Sequence, residues 1–74
     1  MYRMVAMLKN KLKSYRHQME MNQTEFAGFL GIGISLYNNY ERQHKQPSLE
    51  SAIKIARKLN CHVEEIFDIE DSAE

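Results

Sequence analysis

Asn38 and Asn39 stand side by side in the segment Ile34 to Glu41, which reads as a short helix. Asparagine is a poor helix former because its amide competes with the backbone for hydrogen bonds, so an adjacent pair on an exposed face suggests a use. Ser35 falls on the same side as this pair, with Tyr37 and Tyr40 on the other. The tyrosines sit at helical spacing and read as core aromatics rather than as stacking platforms. Other reactive side chains do not assemble into a site. Cys61 and His62 are adjacent, yet the chain has one cysteine, and His17 and His44 lie far away in sequence. A tetrahedral metal site and an internal disulfide are both unsupported, no cofactor is expected, and Cys61 reads as a core thiol. Neither a glycine-rich phosphate loop nor a paired-carboxylate constellation is visible, so catalysis is not expected.

Seventy-four residues make one domain near the lower size limit for a core without staples. An apolar fraction of 43% with 27% charged residues belongs to a folded globular chain rather than a disordered tail. The apolar stretches, such as Met4 to Leu8, are far short of the roughly 20 residues a membrane span needs, and the beginning of the chain lacks a signal-peptide pattern. A cytoplasmic protein with no membrane partner is the expectation. The formal net charge of zero conceals an asymmetry: Arg3, Lys9, Lys11, Lys13 and Arg16 precede any acid, while Glu64, Glu65, Asp68, Glu70, Asp71 and Glu74 close the chain with no base among them. Residues 1–60 therefore hold ten bases against four acids. A basic body with an acidic end is compatible with a polyanionic partner despite the neutral total.

Glycine and proline are scarce and no alternating run long enough for a strand is evident, so the elements that position these residues are expected to be all helical. A first helix is expected over about Lys9 to Met19, with Leu8, Leu12, Tyr15 and Met19 as its buried stripe. Asn22 with Glu25 three residues on resembles a capping box and predicts a second helix from Gln23, with Phe26, Ala27 and Leu30 facing inward. Gly31 is the expected stop, since glycine enters the left-handed conformation without strain. A tight turn through Gly33 launches the third helix, Ile34 to Glu41. After the polar loop Arg42 to Gln46, Ser48 is a plausible cap for a fourth helix from Leu49 to about Leu59, with Ala52, Ile53, Ile55, Ala56 and Leu59 as its stripe. A short last helix is expected over Val63 to Phe67, with everything after Asp68 frayed.

Gln23, Glu25, Ala27, Gly31, Ile32, Tyr37, Tyr40 and Glu41 resemble the phage repressor and Cro-like helix-turn-helix family, the xenobiotic-response-element (XRE) type. The stretches Gln46-Pro47-Ser48-Leu49-Glu50, Ile53 to Ala56 and Val63 to Phe67 look like its usual continuation. The resemblance runs from about Leu8 to Phe67 and implies a five-helix lambda-repressor-like fold. It divides the chain into an N-terminal extension (1–7), a DNA-binding domain (8–69) and an acidic flexible tail (70–74).

The same resemblance implies sequence-specific binding to double-stranded DNA by a transcriptional regulator, as a repressor, with the third helix in the major groove. Carried over position by position, Ile34, Ser35, Asn38 and Asn39 fall at base-reading places. Asparagine can pair bidentately with adenine, serine can donate or accept, and Ile34 can pack on a thymine methyl. Gln23, Leu36, Arg42, Gln43 and Lys45, with His44 beside them, fall where phosphates are gripped. Arg16 and Glu41 match a structural ion pair tying the first helix to the end of the third. A homodimer on a pseudo-palindromic operator is implied, with Ile66 and Ile69 as candidate interface positions. Four positions depart from the family pattern: Gly33 where a capping Ser or Thr is frequent, Gln43 where glycine is frequent, and apolar Ile34 and Leu36 where polar side chains are usual. The apolar pair and the neutral total charge leave room for an alternative, an antitoxin-like or adaptor module that holds a protein partner and touches DNA weakly.

Overall fold

The computed structural model describes residues 5–72, and the side-chain surroundings of residues 8–69. The elements in order are β1 (Val5–Asn10), α1 (Leu12–Gln18), α2 (Gln23–Leu30), α3 (Ile34–Glu41), α4 (Leu49–Lys58), α5 (Val63–Ile66) and β2 (Phe67–Ser72). The five helices stand where the apolar periodicity puts them. Their starts follow the capping residues: Asn22 accepts from the Glu25 N–H at 2.8 Å while the Glu25 carboxylate accepts from the Asn22 N–H at 2.9 Å, and Ser48 accepts from the Ser51 N–H at 3.1 Å.

The two strands correct the all-helical expectation in its details. β1 and β2 pair antiparallel, with Leu8 opposite Ile69 and Asn10 opposite Phe67. Each strand is silent in its own sequence: Val5-Ala6-Met7-Leu8 lacks alternation, and the apolar-polar pattern of Phe67 to Glu70 is too short to register. Only the pairing of the two chain ends makes them strands, and that information is not local. The residues after Asp68 are therefore paired through Ser72 rather than frayed. The outermost residues, 1–4 and 73–74, lie outside the described residues.

The ribbon also moves the start of α1 from Lys9 to Leu12. Asn10 accepts from the Leu12 N–H at 3.1 Å, and the Lys11 N–H donates to the Ile66 carbonyl at 2.8 Å, which stops the strand and begins the helix. α1 ends at Gln18, and Glu20 leaves it in the left-handed region at φ 56°. Met19 is consequently exposed instead of lying in the stripe.

One core gathers Leu12 of α1, Phe26, Ala27 and Leu30 of α2, Tyr37 and Tyr40 of α3, Ala52, Ile55 and Ala56 of α4, and Ile66 and Phe67 beyond it. The Phe26 and Tyr37 rings meet edge to face with centroids 5.4 Å apart, fastening α2 to α3. Cys61 packs half-buried against this core. Two expected positions are corrected. Ile53 of the α4 stripe is 37% exposed, whereas Ile66, which the last helix is expected to offer to the core as well as to an interface, is fully buried in the core and unavailable to a partner.

Candidate nucleic-acid interface

The turn between α2 and α3 is built on one backbone conformation. Gly31 adopts φ 80°, and the N–H groups of Gly31 and Ile32 close onto the carbonyls of Gly28 and Ala27 at 3.1 and 3.0 Å. A Cβ on Gly31 would meet nothing within 4 Å, so glycine is needed there for its dihedral and not for space. Ile32 then packs back on the core and α3 begins at once.

α3 is two-sided. Tyr37 and Tyr40 are buried, while Ser35 and Asn39 are exposed, Ile34 is 38% exposed and Asn38 is half-buried. An α-helix with its side chains is about 10–12 Å across, which the roughly 12 Å wide major groove of B-DNA admits. The four positions expected to read bases thus lie together on the part of α3 that the core leaves uncovered.

Leu36 does not join them. Its side chain packs against the core, so only its backbone N–H, in the first turn of α3 where no intrahelical acceptor exists, remains for an anion. The helix starts from Gly33, which provides no side-chain cap.

Beyond α3 the chain is folded back on itself. The N–H groups of His44 and Lys45 donate to the Asn39 carbonyl at 2.9 and 3.2 Å, and the Gln43 N–H donates to Tyr40 at 3.1 Å. This closure places Gln43 at φ 66°, where glycine would be favoured. Arg42, Gln43, His44 and Lys45 are all exposed, and the loop that carries them is anchored by Gln46, whose amide donates to the Leu8 carbonyl of β1 at 3.1 Å.

Behind this surface lies the Glu41 carboxylate, the meeting point of three elements. Arg16 of α1 donates to it through Nε at 2.9 Å, Tyr37 through its hydroxyl, and Gln23 at the start of α2 through Nε2 at 2.7 Å. The Arg16 and Glu41 side chains are 13% and 7% exposed. Burial alone would lift the Glu41 carboxyl, but the hydrogen bonds from Arg16, Tyr37 and Gln23 outweigh it and hold the group below its ordinary range. Burial, reinforced by the bond to Glu41, pushes the Tyr37 hydroxyl far upward.

Gln23 thus enters the network through one amide proton and retains a second. Two contacts that hold the end of α3 escaped sequence reasoning. The Tyr37 hydroxyl was legible as a donor, four residues before Glu41 on one helix face. Asn10, which donates to the Tyr40 carbonyl at 2.9 Å and so pins the end of α3, carries the weaker signal of a capping residue type just before a helix.

A helix-turn-helix family model matches residues 12–66, from α1 to the end of α5. The chain belongs to the XRE-type helix-turn-helix family of DNA-binding transcriptional regulators. It is 38% identical over 64 residues to an uncharacterized HTH-type transcriptional regulator of Methanocaldococcus jannaschii, an alignment covering 86% of this chain and 97% of that one. It is 30% identical over 60 residues to the cryptic phage CTXphi transcriptional repressor RstR of Vibrio cholerae, covering 81% of this chain and 54% of RstR. The chain spans about half the length of that repressor. In fold it is similar to the crystal structure of a Bacteroides fragilis protein provisionally named as DNA-binding, with a TM-score of 0.70 at 21% identity, covering 84% of this chain and all of that one. No helix among the described residues is long and apolar enough to cross a membrane.

Proposed function

We propose that this protein is a cytoplasmic transcriptional repressor that inserts α3 into the major groove of its operator. Ser35, Asn38, Asn39 and Ile34 read base edges, the amides favouring adenine and Ile34 a thymine methyl. Gln23, the loop residues Arg42, Gln43 and Lys45, and the Leu36 N–H contact phosphates and set the register. Two copies read a pseudo-palindromic site, because one such helix offers too few base contacts for useful specificity.

One observation carries this reading: the tyrosine side of α3 is buried while Ser35 and Asn39 stay uncovered. The alternative of a protein-holding module is less well supported, because Leu36 turns into the core and leaves Ile34 as the one large apolar side chain on that side. The test is selection of bound duplexes from a random pool with the wild type and with Asn39→Ala. A two-fold motif that loses its preference at one base pair per half in the variant supports the assignment. Enrichment without any motif, or an identical motif from both proteins, overturns it.

A further inference from the structure

α4 carries more apolar surface than the core takes up. Leu49 and Ile53, one turn apart, are 73% and 37% exposed, while Ala52, Ile55 and Ala56 are buried. The two exposed side chains border a groove of about 330 Å³ that is completed by Glu50, Lys54 and Arg57. Exposed leucines are common singly, but here two large apolar groups form one ridge flanked by charge, the anatomy of a small contact surface.

The charges at the two ends of the ridge, Glu50 and Arg57, are self-complementary. Glu50 sits at its N-terminal end and Arg57 two turns further on. Within the chain Glu50 pairs with Lys54 of its own helix at 3.1 Å, an exposed pair that contributes little, and Arg57 has no ion-pair partner among the described residues. A second α4 laid antiparallel across the first, with the two-fold axis at Ile53, brings Ile53 against its own copy. It sets Leu49 against the aliphatic stem of the opposing Arg57 and Glu50 beside the same guanidinium, on both sides of the axis. The helix dipoles are then opposed favourably as well. A parallel arrangement would place like charges together.

We propose that two copies of this chain associate through α4, Ile53 on Ile53, with reciprocal Glu50 to Arg57 ion pairs. The proposal deepens the reading of the protein as a two-fold DNA reader and rests on that reading for its purpose. It also replaces the expected interface: Ile66 is buried, and the exposed Ile69 follows Asp68 on an acidic strand, where a second copy would oppose acid with acid. A single helix crossing buries an area at the low end of specific interfaces, so the association is concentration-dependent rather than permanent.

Sedimentation equilibrium of the full chain, from about ten micromolar to about one millimolar, reads the association directly. The wild type should shift from monomer to dimer across this range. Ile53→Asp and Leu49→Asp, both at exposed positions and checked for helicity by circular dichroism, should weaken the dimer at least about tenfold. Glu50→Arg and Arg57→Glu should each weaken it, and the double charge reversal should restore it. A wild type that remains monomeric, or that instead captures an acidic partner as a monomer, overturns the proposal. So does a dimer unchanged by Ile53→Asp, or a double reversal no tighter than the single variants. Binding to a duplex carrying a single half-site is measured in parallel. If it persists while the charge cycle fails, the α4 interface alone falls; if no duplex is bound while the cycle holds, the DNA reading falls and the interface stands.

Discussion

The Gln23 carboxamide donates to Oε1 of Glu41 at 2.7 Å, locking the first residue of α2 to the last residue of α3. Arg16 holds the other carboxylate oxygen from α1 at 2.9 Å. The angle between the two helices of the motif is therefore held at both ends, by the Gly31 turn on one side and by this carboxylate on the other. An ion pair so nearly buried is a weak source of net stability, because desolvation offsets the attraction. Its value lies in registration. Removing one partner, however, leaves an uncompensated charge inside.

The cost of that removal can be predicted with its pH dependence. Glu41→Gln should destabilise the domain by on the order of 3 kcal/mol at neutral pH, since the Arg16 charge then lacks its partner. Tyr37→Phe, which removes one neutral donor, should cost about 1 kcal/mol. An unfolded glutamate titrates near about pH 4.3, and Glu41 in the fold titrates lower. A depressed carboxylate contributes stability that is complete above the unfolded value and fades as pH falls through the folded one. Wild-type stability should therefore drop below about pH 5, and the drop should be shallower in Glu41→Gln. Urea titrations at a series of pH values would measure both; equal slopes in the two proteins would contradict the assignment.

Gln23 connects this network to the proposed phosphate contact. With one amide proton held by Glu41, its second is oriented before DNA arrives, so little rotamer freedom is lost on binding. Gln23→Ala should weaken binding to all duplexes by roughly tenfold without altering the preferred sequence. Lys45→Ala should lower affinity and also reduce the slope of log affinity against log salt by about 1. Fluorescence anisotropy at several salt concentrations separates the two effects, and a change of base preference in either variant would argue against a phosphate role.

The parts of this architecture that were legible in the sequence are those written locally. Asn22 with Glu25, Ser48, Gly31 and the tyrosine spacing each specify a helix end or a buried side within a few residues. The ribbon was not legible, because Leu8 and Ile69 become neighbours only after the helices between them have folded. Ile53 illustrates a second limit. Periodicity places it beside the α4 stripe, but whether the stripe's edge is covered depends on how wide a face the other helices present. The members of the candidate interface were nameable from the family resemblance, and the spacing of Tyr37 and Tyr40 already put Ser35 and Asn39 on the exposed side. The inward turn of Leu36 could not be read from an apolar residue on an otherwise polar face.

Gln43 offers a test of backbone strain. It holds φ 66° where the chain closes onto the Asn39 carbonyl, and a side chain there costs about 1 kcal/mol relative to glycine. Gln43→Gly should therefore raise the melting temperature by about 4–8 °C. If the Gln43 side chain grips a phosphate, the same variant should bind DNA more weakly while being more stable. Thermal denaturation and anisotropy together would show the two signs; a destabilised variant would refute the strain argument.

Gly33 makes the complementary case at the other end of α3. Its backbone is extended, φ −71° and ψ 153°, with nothing within 4 Å of a Cβ, so a larger residue fits without rearrangement. Gly33→Ser should stabilise the domain by about 0.5 kcal/mol through less freedom in the unfolded chain and a cap for the first turn. Gly33→Ala gains the first effect and not the second. The introduced hydroxyl would engage the Leu36 N–H, which is the one group by which that residue can meet a phosphate, because its side chain is turned inward. Gly33→Ser should then bind DNA a few-fold more weakly than Gly33→Ala although it is the more stable of the two. Equal affinities would remove Leu36 from the phosphate contacts and leave that grip to Gln23 and the loop after α3.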